Sequence, residues 1–155
     1  MEKVLSFYLA GELFGININM VKEINRNINY TEVPSAPEHI AGIFNMRGQV
    51  VTLLDLGRII AHTPCHKNRD AACIIIKSIT GGQNDMAGFI IDYPGDVLDI
   101  PDDVCELPPA NYEGIESNYI KKVARLDTGL LIIINVETIL RVAQTKTIYH
   151  EEGFI

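Results

Sequence analysis

Apolar residues in this chain return at every second position in short runs, and each run is closed by Gly, Pro, Asn or Asp. That rhythm specifies strands and tight turns rather than packed helices. The opening shows it: Leu5, Phe7 and Leu9 alternate with Val4, Ser6 and Tyr8. Ala10-Gly11-Glu12 supplies a turn, and Leu13-Phe14-Gly15-Ile16 begins the return strand. Ile16, Ile18 and Met20 then alternate with Asn17 and Asn19 ahead of Val21-Lys22-Glu23-Ile24, which places Glu23 in a strand or short helical turn. Ile, Val and Thr make up 41 of the 155 residues, and their branched side chains favour sheet.

The rest of the chain keeps the pattern. Val33-Pro34-Ser35-Ala36-Pro37 is a stiff, extended connection, because each proline fixes φ and biases its predecessor away from the helical region. Pro37 can open one helical turn over Glu38 to Ala41, closed by Gly42. Ile43-Phe44-Asn45-Met46 and Gln49-Val50-Val51-Thr52-Leu53-Leu54 flank Arg47-Gly48, a two-residue hairpin turn that stands Arg47 at an exposed tip. Asp55 is placed to cap a short helix ending near Ala61. His62 to Asp70 is polar and marks the clearest change of composition, a join between two lobes. Ala71 to Ile79, Met86 to Ile91 and Asp96 to Ile100 read as strands, with a loose Gly81-Gly82-Gln83 hairpin loop after the first. Pro101 to Ser117 reads as a long loop. Tyr119 to Leu126 and Leu130 to Ile134 form a last hairpin, and Asn135 caps a helix over 136–142 with Val136, Ile139, Leu140 and Ala143 on one face.

Strands this short and frequent point to small barrels rather than βαβ units. The expected organisation is a single domain over 1–145, with a first lobe over about 12–66, a second over about 67–135, the helix after it, and a tail over 146–155. Each lobe reads as hairpin, irregular stretch, hairpin and short helix, which suggests a structural repeat without clear sequence identity between the halves.

Composition narrows the function. Twenty acidic residues against 13 Lys and Arg give a formal charge of −7, and the basic residues are scattered. A net anion without a basic patch repels phosphate backbones, so no nucleic-acid partner is expected. Three cysteines without a CxxC pair exclude a disulfide scaffold and read as cytosolic. Met1-Glu2-Lys3-Val4 runs directly into a strand, which speaks against a signal peptide. The longest apolar run, Ala71 to Ile76, is far short of the ~20 residues of a spanning helix, so no direct membrane insertion is expected.

Catalytic and metal chemistry find little support. His62, Cys65, His66 and Cys73 offer soft ligands, but their spacing lacks the paired short intervals of a zinc site, and a solvated loop accounts for them. Cys73 and Cys105 read as small apolar residues. Asp102-Asp103 and Glu151-Glu152 lack the spacing of a calcium loop, and neither standard phosphate-binding glycine loop is present. The expectation is therefore no enzyme, no cofactor and no metal.

The segment from Val33-Pro34-Ser35-Ala36-Pro37 through Gly42-Ile43-Phe44-Asn45-Met46-Arg47-Gly48 to Leu53-Leu54-Asp55-Leu56 strongly resembles the central signature of the CheW family. That signature has a proline-containing approach, a Gly-apolar-x-Asn-apolar-Arg-Gly hairpin and an apolar strand ending in Asp-Leu. Val21-Lys22-Glu23-Ile24 is similar to the family's Val-x-Glu-Ile segment, and Gly88 to Asp92, Val97-Leu98 and Tyr119 to Leu140 resemble its second half in order and spacing. The resemblance spans roughly 4–142.

It implies an all-β fold of two SH3-like five-stranded barrels with short helices. It also implies a non-catalytic adaptor coupling methyl-accepting chemoreceptors to the histidine kinase CheA, in the cytoplasm at membrane-bound receptor arrays. The kinase's regulatory domain, a homologue of the same fold, would associate barrel to barrel, and the helical receptor tip would dock between the lobes. Val21, Glu23, Ile24, Gly42, Asn45, Arg47 and Gly48 fall where the family contacts these partners. Three positions depart from the common pattern: Lys122 stands near a usual glycine, Asn135 where many relatives have Asp, and Arg58 one place later than usual. An adaptor of a related pathway, in twitching motility or development, is the closest alternative. A metal-binding or peptide-binding small barrel is a more distant one, and the lack of Trp weighs against the peptide-binding form.

Overall fold

The computed structural model describes residues 1–26, 28–61, 72–77, 86–112 and 114–152. In chain order its strands are β1 (Glu2–Leu9), β2 (Glu12–Asn17), β3 (Val21–Arg26), β4 (Ile40–Met46) and β5 (Gln49–Asp55), followed by helix α1 (Leu56–Ala61). There follow β6 (Ala72–Ile76), β7 (Ala87–Ile91), β8 (Tyr93–Ile100), β9 (Cys105–Glu106), β10 (Asn111–Tyr112), β11 (Ile115–Glu116), β12 (Ile120–Leu126), β13 (Gly129–Ile134) and helix α2 (Val136–Glu152). Both Gly81-Gly82-Gln83 and the His62–His66 candidate lie outside the described residues.

Two sheets carry the fold. One has the order β3-β6-β7-β5-β4, the other β8-β1-β2-β13-β12-β9. The first sheet is therefore built from a continuous stretch, 21–91. The second takes its N-terminal hairpin from the start of the chain and its remaining strands from beyond residue 92. A division at 66/67 would cut through the first sheet, since β6 pairs with both β3 and β7. Sequence patterning finds strands but does not say which partner a strand chooses across a long separation.

The two sheets repeat each other under a circular permutation. In each, a hairpin (β6–β7 or β1–β2) lies parallel to the second strand of another hairpin (β4–β5 or β12–β13). Gly88 opposite Leu53 corresponds to Gly15 opposite Ile133. Each returning strand runs into a helix through the same cap. Asp55 Oδ1 accepts from the Arg58 N–H and Asn135 Oδ1 from the Thr138 N–H, both at 3.1 Å. At Asn135 the departure from Asp thus costs the helix no acceptor.

Three apolar cores follow from this arrangement. Met46, Val51, Leu53, Cys73, Ile75 and Ile90 fill the first barrel; Val4, Ile100, Ala124, Leu131 and Ile133 fill the second. Between the lobes lies the largest core, joining Leu5, Phe7, Phe14 and Ile16 to Leu54, Ile59, Ile74 and Phe89, with Ile139 of α2. The Phe7 and Phe14 rings stack across β1 and β2 with centroids 5.8 Å apart. β1 is buried on both faces: Val4 turns into the second barrel and Leu5, Phe7 and Leu9 into the shared core.

Local expectations were met in part. The turn at Pro37–His39 is held by the Ile40 N–H donating to the Pro37 carbonyl, but β4 begins at Ile40, so Glu38 to Ala41 is not a helical turn. Ile18–Met20 is a short 3-10 turn rather than strand, its entry held by Asn17 Oδ1 accepting from the Asn19 N–H. Pro101–Ser117 contains a 3-10 turn and the short strands β9 to β11 instead of open loop. Helix α2 continues to Glu152, past both the expected end at 142 and the start of the expected tail.

Because the caps are equivalent, Asp55→Ala and Asn135→Ala should each lower stability by about 1 kcal/mol. Urea denaturation checks this, and the two losses should be similar despite the different lengths of the helices.

Candidate functional site

The turn between β4 and β5 is an exposed part of the first lobe's signature. Arg47 and Gly48 both adopt positive φ, +51° and +86°, the conformation of a two-residue type I′ turn whose twist matches its flanking strands. Glycine takes this geometry freely, whereas an arginine there is uncommon. Asn45 holds the turn from within, its Oδ1 accepting from the Gly48 N–H at 2.8 Å.

From this tip Arg47 reaches β3. Its Nη2 donates to Glu23 Oε2 at 2.7 Å. The other oxygen of Glu23 accepts from Asn25 Nδ2 at 3.0 Å, and the same amide approaches Met46 Sδ at 3.5 Å. Strands β3 and β4 are opposite edges of their sheet, so this chain of contacts spans the mouth of the first barrel. The Arg47 side chain is 68% exposed and that of Glu23 25%. An arginine so placed keeps unused donors facing solvent while its stem covers apolar surface.

The remaining candidates divide by role. Val21 and Ile24 are half-buried and pack on the shared core, so they fix β3 rather than present a free surface. Gly42 sits at a bulge in the β4–β5 pairing, where an added Cβ would lie 2.5 Å from the Thr31 carbonyl oxygen. Thr31 exchanges both backbone hydrogen bonds with Ile43 at that point, so only glycine admits the close approach. The structure thus brings Glu23, Arg47 and Gly48 together with Asn45 beneath the turn, and uses Val21, Ile24 and Gly42 to position them.

Sequence reading missed two members of this patch. Asn25 is two residues from Glu23 on the same face of β3, and the two-residue strand period alone points to it. Val50, opposite Asn45, is 62% exposed. In Val50-Val51 one valine must face outward, and only the register says which.

The second lobe does not reproduce the ion pair. Under the repeat, Arg47 corresponds to Asp127 in the β12–β13 turn, and Glu23 to Asp96, which bonds through its backbone to Ser6. Two carboxylates replace a cation and an anion. Gly42 corresponds to Lys122, which also stands at a bulge. Lys122 Nζ lies 3.0 Å from Glu2 Oε1, and this contact holds the lysine's pKa above its usual range. The third departure, Arg58, reaches Glu38 at 3.1 Å on the turn before β4.

Cys73 lies buried in the first barrel, and loss of solvent pushes its thiol up to about 12. It stays a thiol at neutral pH and is no nucleophile. Among the described residues no group of three His, Cys, Asp or Glu side chains converges on a metal position, and no helix is long and apolar enough to cross a membrane.

Comparison with known proteins identifies the arrangement. A family model described as the CheW-like domain matches residues 3–144. The chain belongs to the CheW family. Chemotaxis protein CheW of Treponema pallidum is 29% identical over 140 residues, covering 86% of this chain and 79% of the relative. Its counterpart from Helicobacter pylori is 27% identical over 137 residues, 88% and 80% respectively. The crystal structure of the scaffolding protein TtCheW from Thermoanaerobacter tengcongensis superposes with a TM-score of 0.75 at 30% identity, over 87% of this chain and 84% of that one. The all-β, two-lobed CheW architecture is therefore the fold of this chain.

The Arg47 guanidinium, followed by the Asn25 amide, holds the Glu23 carboxyl below its ordinary 4.5. A carboxyl lowered on folding stabilises the fold above its unfolded pKa, and that contribution is lost as pH falls through the lower folded value. Arg47→Ala should therefore bring the Glu23 titration back up toward 4.5, read by carboxyl-carbon NMR. An unchanged Glu23 titration would mean that the pair does not persist in solution.

Proposed function

We propose that this chain is a non-catalytic chemotaxis adaptor, coupling the cytoplasmic tip of methyl-accepting chemoreceptors to the regulatory domain of the histidine kinase CheA. It would work in the cytoplasm, recruited to membrane-bound receptor arrays. Support comes from relatives named chemotaxis protein CheW and from the scaffolding protein whose fold it shares. The observation that carries the assignment to particular residues is Arg47, held at an exposed turn by Glu23 beneath it.

In this reading Arg47, Glu23, Asn45 and Gly48 form the partner-facing surface, with Val21, Ile24 and Gly42 as its frame. The Glu23 contact orients the guanidinium before a partner arrives, which reduces the rotamer entropy lost on docking. An incoming carboxylate can then take the remaining donors as a paired hydrogen bond. Val50 beside it adds apolar contact area. Moderate affinity suits a scaffold, because an array gains avidity from several linked contacts.

Titration of the receptor tip and the kinase regulatory domain, each separately, into wild type and Arg47→Ala tests the assignment. The variant should lose about 5- to 150-fold in affinity for at least one partner, with its melting temperature within a few degrees of wild type. Unchanged affinity for both partners would remove Arg47 from the interface. A large fall in melting temperature would show that its role is in the fold.

A further inference from the structure

Under the internal repeat, His39 and Tyr119 are counterparts. Each immediately precedes its strand, β4 or β12, and each carbonyl accepts from the N–H of the capping residue, Asp55 or Asn135, at 2.8 Å. Their side chains part company. Tyr119 joins the shared core, whereas the ring of His39 places Nε2 3.0 Å from the carbonyl oxygen of Ala143 in α2. A carbonyl oxygen only accepts, so Nε2 carries the hydrogen. His39 is 5% exposed and, among the described residues, is buried polar together with Ser6 and Asp92.

Helix α1 has six residues, which match the first six of α2, Val136 to Arg141. The carbonyl that His39 grips lies two residues past that matched stretch. We infer that His39 is a positioning residue that clamps the middle of α2, a second-lobe element, to the root of the β4–β5 hairpin.

The root is tied on several sides. The His39 carbonyl holds Asp55, the cap of α1; Glu38 pairs with Arg58 of α1; and Ile40 begins the strand that ends at Arg47. A movement of α2 against His39 therefore reaches β4 through one residue. The apolar face of α2, with Val136, Ile139 and Ala143 in the shared core, gives the helix adhesion, and the His39 bond fixes its register against the first lobe.

Amide hydrogen exchange on the full chain tests this, comparing wild type with His39→Phe, which keeps a ring but loses the donor, and His39→Gln, whose amide can restore it. In His39→Phe the amides of α2 beyond Ala143 and those at Ile40 to Gly42 should exchange about tenfold faster, as expected for losing one buried hydrogen bond. The β12 and β13 amides should not change. His39→Gln should return both segments to within about threefold of wild type. If His39→Phe does not fold, His39→Leu is read by the same criteria. Unchanged exchange in α2, a uniform rise across both lobes, or a Gln variant as fast as Phe would overturn the inference and leave His39 as packing alone.

Discussion

The apolar layer between the two lobes is the constraint on which the remaining features depend. Each sheet must bury an inner face in its own barrel and an outer face against its neighbour. A strand in that position has no solvent face, and this is why Ala72–Ile76 reads as a continuous apolar run rather than an alternation. It also explains why the first hairpin of the chain completes the second lobe: β1 supplies Val4 to one core and Leu5, Phe7 and Leu9 to another. With both lobes seated on one core, the polar turns are pushed to the far ends of the barrels, where the Arg47 turn is found.

The internal repeat separates what the fold requires from what is particular to this chain. Both halves keep the parallel pairing, the tight glycines Gly15 and Gly88, the bulge at the start of β4 or β12, and the capped helix. The turn chemistry is not kept: Arg47 and Glu23 in one lobe face Asp127 and Asp96 in the other. Matching sheets with opposed tip charges and different turn backbones cannot serve one partner in one way. The adaptor reading accommodates this naturally, since an adaptor needs distinct surfaces on a rigid body.

Much of this was legible in the sequence because it rests on local rules. Alternation located most strands, Arg47-Gly48 announced its turn, and Asp55 and Asn135 announced their helices. The Glu23–Arg47 contact was not legible, because β3 and the β4–β5 turn meet only when the sheet curls and brings its opposite edges together. Lobe membership was hidden for a similar reason: the pairing of β2 with β13 joins Phe14 to Ile132, and no local pattern encodes so distant a partner. The polar start of the tail, with Gln144, Thr145 and Lys146, concealed the continuation of α2, whose first turns are held by the shared core and by His39. The resemblance to the CheW family supplied the architecture that periodicity alone left open.

The central claim is that one copy of this chain holds a receptor and a kinase together. The direct measurement is analytical ultracentrifugation of the full chain mixed with a receptor-tip hairpin and a CheA regulatory domain, at physiological salt. The account predicts a species containing all three components, together with each pairwise complex when one partner is omitted. Mutually exclusive complexes, or sedimentation of the three as separate species, would contradict it.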